Sequence, residues 1–456
     1  MKMQLAEIAR ALGAEVKAGY EDICITSVSF DSRTLEAGAL FIPLVAGNDG
    51  HNFIQSAIEH GAVATLWQAD HDLGQVDLPQ LVVADTLEAL QTLGRYYLDK
   101  INPKVVAITG SNGKTTTKDM VAAILGSQFN VQKTHANFNN QIGVPMTILG
   151  MEPNTEVLVV EMGMDHFGEL DHLSRLAAPD VAVITMIGEA HIEFFGSRDK
   201  IADAKMEITH GLKEDGTLVY NGDEPLLRTR AENLKQLTVT FGRNDNNDLQ
   251  ATNIVSDDTQ TGFRVVSWPE ENFTIPMIGA YNVNNALAAL AVGNLFHVPV
   301  EAMRKALAAF DLTANRTEWV KGAKGERILS DVYNSNPTAV KQVLQAFTKV
   351  ETAGKRIAVL GDMLELGDQA EIMHTGLAAE IQPEEIAEVY LCGPIMAKLA
   401  QVLDEKYPAD KVHHYDTDAK AQLVADLKAS IQPEDIVVIK GSHGIHLEEV
   451  LAALQK

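Results

Sequence analysis

Short unbroken runs of aliphatic and β-branched residues recur along the chain, spaced by stretches with helical periodicity. They are LVVA (81–84), VVAIT (105–109), VLVVEM (157–162), VAVITM (181–186), IAVLGD (357–362), VYLCG (389–393) and IVVIKG (436–441). A strand covered on both faces reads as such a run, and alternation with helices gives a parallel sheet. The pattern predicts an α/β protein. Residues 217–275 read differently: TLVYNGDEP, LTVTFGRNDNND and GFRVVSW mix Thr, Val and polar positions, which predicts an antiparallel excursion.

Three domains are expected, since 456 residues suit about three units of ~150. Residues 1–100 close in LGRYYLDKINPK, where a helix meets an Asn-Pro break. Residues 101–316 form a central block, and 317–456 have their own βαβ rhythm. No internal repeat or low-complexity tract interrupts them.

Composition removes several functional classes. The chain is 46% hydrophobic and 22% charged, as globular proteins are, but its net charge is −25. Nucleic-acid binders carry a basic face, so that partner is not expected, although a local basic pocket for a small anion is. Cys24 and Cys392 are too few for a disulfide framework or a Cys-rich metal site; both read as buried thiols in a reducing compartment. The amphipathic start MKMQLAEIARALGAEV lacks a signal peptide's apolar core, and no apolar run approaches ~18 residues. No membrane insertion and a cytoplasmic location are expected. Oligomeric state is not written in the sequence; a monomer is the default.

The chemistry begins at VVAITGSNGKTTTKDM (105–120): strand, glycine turn, Lys-Thr, helix. This is the layout of a phosphate-binding loop. Gly110 and Gly113 let the amides of Ser111 and Asn112 approach an anion, and a helix starting near Lys114 adds its dipole. Lys114 would reach the β and γ phosphates, Thr115 would ligate Mg²⁺, and Thr116 follows in the same turn. The spacing is shorter than G-x-x-x-x-G-K-[ST]. A plain strand-to-helix turn is the alternative, but Lys and Thr there have no packing purpose.

More oxygen ligands are needed around such a loop. Glu161 ends the next apolar run, at the strand end where ligands bind in α/β sheets. His191 falls in the loop after a further strand, with Lys205 on the helix beyond. Singly each has a bland reading: rim carboxylate, surface histidine, exposed lysine. Their placement after successive strands makes them a candidate set.

Together ITGSNGKTTT, NNQIGVP (139–145), EMG (161–163), HIEFFGSRDKIADAK (191–205), YNVNNALAA (281–289) and NRTE (315–318) resemble the Mur ligases, the ATP-dependent amide ligases of peptidoglycan precursor synthesis. The resemblance covers essentially the whole chain. It implies an N-terminal α/β domain for the UDP-MurNAc-peptide, a central parallel-sheet P-loop ATPase domain and a Rossmann-like C-terminal domain. SFDSRTLEAGALFIPLVAGNDGHNFIQSAIEHGA (29–62) resembles the uridine-nucleotide-binding domain shared by the two members acting latest on the peptide, and SDVYNSNPTAV (330–340) and LGDMLELGDQAEIMH (360–374) are similar to the last of them. That implies ATP, a UDP-MurNAc-tripeptide and D-Ala-D-Ala as substrates. The diamino-acid-adding relative is the alternative within the family, and its Asp-Asn-Pro-Arg-type motif is absent. A folylpolyglutamate-synthase-like enzyme and a non-ligase nucleotide-binding module are further alternatives.

The resemblance also implies roles. Catalysis falls to Lys114, Lys205, His191 and Asn140, and Mg²⁺ to Thr115, Glu161 and His191. Lys205 matches a lysine the family carbamoylates; unmodified, it would be a cation near the phosphates. Asn140 would orient the γ phosphate, or simply form an Asn turn. Asn282 and Asn285, three apart on one helical face, would bind adenine, with N-capping as the alternative for Asn282. Relatives often carry His at Tyr281. Arg316 would close on the nucleotide and Asp331 would take the ribose. Tyr333, Asn334 and Asn336 would face the active site, unless DVYNSNP is only an Asn-rich turn. Ser32, Arg33, Gly47, Asp49, Gly50 and His51 would bind the uridine diphosphate, Arg33 through its planar fork. Asp362 and Lys440 sit in loops expected to face the dipeptide. Relatives often carry Arg at His443, and Lys440 is the cation that compensates. The tripeptide's third residue (lysine or diaminopimelate) and D-Ala-D-Ala against D-Ala-D-lactate stay open, and a closing motion is implied.

Overall fold

The computed structural model describes residues 1–72, 76–311, 313 and 316–456; Asn315 of the NRTE motif lies outside them. All seven apolar runs are strands. The central sheet runs, edge to edge, Val131–Lys133, Val157–Glu161, Lys104–Thr109, Val181–Ile184, Thr217–Asn221, Leu237–Gly242, Leu249–Ser256, Thr261–Val265 and Trp268–Ile275. Side chains alternate across a strand. Val105 and Ala107 therefore enter one buried cluster, Val106 and Ile108 another on the opposite face, and Leu158/Val160 and Val157/Val159 divide the same way. Two cores, one per face, are why the middles of these strands are apolar, with polar residues kept to their ends.

The antiparallel excursion is shorter than 217–275. Thr217–Asn221 and Leu237–Gly242 extend the sheet in parallel, and Leu249–Ser256 joins in parallel before the last two strands reverse. The start of Leu237–Gly242 is exposed, so an outlying parallel strand carries polar residues as an antiparallel one does.

N-terminal to this lies a four-stranded parallel sheet, Ser27–Ser29, Ala39–Phe41, Ala62–Gln68 and Gln80–Val83. Helix Thr86–Ile101 leads out of it, capped by Asp85 and ended by left-handed Asn102 before Pro103. Cys24, read above as buried, is exposed on the short strand Cys24–Ile25, whose partner Ile25 faces inward; Cys392 is buried as expected. The C-terminal sheet runs Glu318–Lys321, Arg327–Asp331, Ile436–Lys440, Arg356–Gly361, Glu388–Cys392 and Val412–Tyr415, parallel except for the first. One buried apolar cluster passes through all three parts, from Met3 and Leu93 through Ile184 to Leu344 and Leu360. Among the described residues no helix is long and apolar enough to cross a membrane.

Candidate active site

Strand Lys104–Thr109 lies at the switch point of the central sheet, with Val157–Glu161 on one side and Val181–Ile184 on the other. Loops leaving such a point diverge and open a crevice. Gly110 fits there because a Cβ would stand 1.8 Å from Thr185 Oγ1. That hydroxyl donates to Asn112 O at 2.5 Å, and Ser111 N–H donates to Met186 O at 3.0 Å. Gly113, at φ +81°, is the N-cap of helix Lys114–Gly126, and no side chain caps it. The first-turn amides and the helix dipole are thus presented to an anion. Lys114 Nζ folds back to Gly110 O at 2.9 Å. Burial pushes its ammonium below the ordinary lysine value; Glu161 pulls it up and Arg316 adds to the depression.

Glu161 is buried at the end of its strand. Oε1 accepts from Asn139 Nδ2 at 2.9 Å, while Oε2 is buried without a hydrogen-bond partner. An orphaned carboxylate oxygen beside the buried Thr115 suits a hard divalent cation. His191, left-handed at φ +65°, places Nδ1 2.5 Å from Glu365 Oε2 but off the line of a hydrogen bond. Lys205 is 2% exposed, with no hydrogen-bond or carboxylate partner for its ammonium among the described residues. Burial, then the charge of Lys114, push it well below the ordinary lysine value.

Two cavities meet at the loop. One of about 810 Å³ is lined by residues 111–115, Asn139, Asn140, Glu161, His191 and Arg316, and across it by Tyr333, Asn334, Leu364, Glu365, Ser442 and His443. Arg316 stands 3.9 Å over the Tyr333 ring, which stacks on His443 at 5.7 Å. The other, of about 300 Å³, is lined by Gly113, Thr116, Tyr281, Asn282, Asn284, Asn285, Arg316 and Asp331. Asn282 Nδ2 donates to Ile278 O and its Oδ1 accepts from Asn285 Nδ2 at 3.1 Å. Gly279 is that helix's N-cap, so Asn282 does not cap it. The smaller cavity has the size and polarity for a nucleoside, the larger for phosphates and further substrates.

Five of the expected site residues have partners within the chain. Asn140 lines the larger cavity while its Oδ1 accepts from Ile142 N–H and Gly143 N–H, the Asn turn; the amide reaching Glu161 is its neighbour Asn139. Asp362 accepts from Met396 N–H at 2.8 Å and Ile395 N–H at 3.2 Å, capping a helix rather than facing a ligand. Lys440 gives its ammonium to Asp331 Oδ2 at 2.6 Å and Asn334 O at 2.7 Å, and it lines the smaller cavity rather than the larger. Asn336 is 1% exposed, caps helix Pro337–Phe347 and pairs with Asn112. His51 is buried with Nδ1 on Asp49 Oδ1 and Nε2 accepting from Gln68 N–H, an internal bracket.

The remaining N-terminal candidates line neither cavity. Arg33 closes its fork on Asp31 at 2.9 and 2.7 Å. Gly50 packs where a Cβ would meet Leu44 N at 2.7 Å; Ser32 is buried and Gly47 is open. Residues not foreseen are Thr185, Asn139, Asn284, Glu189 and Glu365. Asn139 and Asn284 adjoin chosen positions inside quoted motifs, Glu365 lies inside another and Thr185 in a quoted strand run; nothing local marks Glu189.

A switch-point phosphate loop, an orphaned carboxylate and a second α/β unit closing over both define an enzyme that activates a substrate with a nucleoside triphosphate. Family models match the chain in three pieces: Mur ligase family, catalytic domain (24–97), Mur ligase middle domain (108–293) and Mur ligase, glutamate ligase domain (315–443). The chain belongs to the Mur ligase family. It is 43% identical over 436 residues to the UDP-N-acetylmuramoyl-tripeptide–D-alanyl-D-alanine ligase of Bacillus subtilis, covering 95% of this chain and 94% of that one. It is 33% identical over 462 residues to the same-named Escherichia coli protein, covering 100% and 99%. Among solved structures it is similar to MurF from Acinetobacter baumannii (TM-score 0.87, 28% identity, 100% and 99% covered) and MurF ligase from Thermotoga maritima in complex with ADP (0.81, 28%, 94% and 97%).

Proposed function

We propose that this chain joins D-alanyl-D-alanine to a UDP-N-acetylmuramoyl-tripeptide, consuming ATP and releasing ADP and phosphate. The observation that carries the reading is the larger cavity. Its central wall holds the phosphate loop and Glu161, and its C-terminal wall holds Tyr333, Leu364, Glu365, Ser442 and His443. An activated carboxylate and an incoming amine can therefore meet in one chamber.

The terminal carboxylate of the tripeptide attacks the γ phosphorus, and the bond to ADP breaks. The dipeptide amine then attacks the acyl carbon, and the tetrahedral intermediate expels phosphate as it loses a proton. The physical obstacle is repulsion between a carboxylate and a triphosphate. The loop amides, Lys114 and Arg316 oppose it by presenting positive charge before reaction. Thr115 and Glu161 would hold Mg²⁺, which supplies further charge neutralisation, with His191 as a ligand for a second ion. Lys205 suits carbamoylation: a lysine must be neutral to add CO₂, and burial beside Lys114 favours the neutral amine. The smaller cavity would seat adenosine between Tyr281, Asn282, Asn285 and Asp331. Domains of 1–100, 101–316 and 317–456, a monomer, small-molecule partners and a cytoplasmic location complete the proposal.

The test is amide formation from ATP and UDP-MurNAc-tripeptide with a panel of amines. Phosphate release stimulated by D-Ala-D-Ala supports it. Stimulation instead by lysine or diaminopimelate, with a dipeptide nucleotide, overturns it. Lys205→Ala is expected to lose most activity, with no rescue by bicarbonate; near-wild-type turnover would remove the carbamate.

A further inference from the structure

Two asparagines from distant parts of the chain form a reciprocal amide pair at the phosphate loop. Asn336 Nδ2 donates to Asn112 Oδ1 at 2.7 Å, and Asn112 Nδ2 donates to Asn336 Oδ1 at 3.2 Å. The Asn336 oxygen also accepts from Ala339 N–H at 3.0 Å, which fixes the orientation of its amide. Two residues on, Thr338 donates its N–H and hydroxyl to Glu189 at 3.2 and 3.0 Å. The first turn of helix Pro337–Phe347 is thereby gripped by two loops of the central part, one of them the phosphate loop.

We propose that Asn336 is a positioning residue for the phosphate loop, acting through Asn112. The Asn112 carbonyl is held from within the central part by Thr185. Among the described residues its side chain is bonded to Asn336 of the C-terminal part through both amide atoms, with a weak 3.4 Å bond to Met186 Sδ besides. Ser111 N–H is already spent on Met186 O; with both grips in place the peptide units on either side of Asn112 are held, and the N–H groups of Asn112 and Gly113 stay available to the phosphates. If the C-terminal part withdraws, one grip goes. Phosphoryl transfer is then coupled to the seating of the wall that brings the amine, so acyl phosphate forms where its acceptor is at hand and water is excluded. The proposal rests on the ligase reading for what is transferred, but the pairing itself does not.

Asn336→Asp and the neutral Asn336→Ser both keep an oxygen to cap the helix, but neither can donate the amide bond to Asn112. Asn112→Ala removes the other half. For wild type, the single variants and Asn112→Ala/Asn336→Ser, the measurements are kcat for amide formation, phosphate released per amide, ADP affinity and Tm. Each single variant is expected to lose roughly 10-fold or more in kcat, as small misplacements of reacting groups do. Phosphate per amide should rise above one, Tm should hold, and the double variant should be no worse than the poorer single variant. Losses that multiply in the double variant, a ratio that stays at one throughout, or wild-type kcat in both Asn336 variants would overturn the proposal. If wild type forms no amide with any amine, the ligase reading fails instead. The pair is then judged on ADP affinity: weakened by either substitution and no further by both supports it, while unchanged or multiplying losses reject it.

Discussion

Two strand-to-helix turns face each other across the larger cavity, built to opposite rules. In the central sheet, Thr109 leads through Gly110 and Gly113 into a helix that no side chain caps. In the C-terminal sheet, Asp331 leads through Tyr333 and Asn334 into a helix capped by Asn336 with Pro337 in its first turn. The first leaves donors unfilled; the second fills its own. A helix start left open invites an anion, and one closed by its own side chain serves as a fitting. Both are rich in small polar residues, so only the identity of the cap separates them.

The largest expected effect lies on the open turn. Lys114→Ala should lower ATP-dependent phosphate release by roughly 10³-fold, and retention of a tenth of the activity would remove the turn from the chemistry. On the closed turn the anchor is Lys440, buried against Asp331 and Asn334 O. Lys440→Met leaves Asp331 uncompensated and should cost about 3 kcal/mol in urea denaturation; a loss within error would show that water already reaches the pair. Gly110→Ala sets a Cβ against Thr185 Oγ1. It should cost about 2 kcal/mol, partly recovered in Gly110→Ala/Thr185→Ala by the same measurement. Asn336→Ala should cost about 1 kcal/mol for its cap alone. The smallest effect belongs to a third turn, at the N-terminal sheet, where Asp31 accepts from Arg33 N–H and from its guanidinium. These bonds hold the Asp31 carboxyl at about 2, below its ordinary 3.8. A depressed carboxyl stabilises above 3.8, and the benefit is lost as pH falls towards about 2. Asp31→Asn should therefore cost less than about 1 kcal/mol at neutral pH, and the difference from wild type should vanish on acidification.

The central strands were legible because a sheet between two cores keeps the middle of each strand apolar on both faces, and Val105–Ile108 shows both faces at once. The strand, glycine turn and helix at 105–120 were legible from residue order, although the glycines answer to packing as well, Gly110 against Thr185 Oγ1 and Gly113 against Asn285 Oδ1. Partnership across long sequence separations was not legible. Asp362 capping residues 395 and 396, Lys440 spending its charge on Asp331, and Asn336 pairing with Asn112 use the same groups a ligand would use. A donor in a loop does not announce whether its acceptor is substrate or chain. Asn139 and Asn140 differ only in which way the turn points them.

Helix Pro337–Phe347 also carries Val340, Val343, Leu344 and Phe347 into the apolar cluster shared by all three parts. An engineer wishing to graft a relative's C-terminal part onto this chain cannot treat it as a detachable cassette. The graft would have to carry a matching greasy flank as well as the asparagine key. Chimeras joined at the linker without that flank should come out sticky and slack, however faithfully the borrowed pocket is copied.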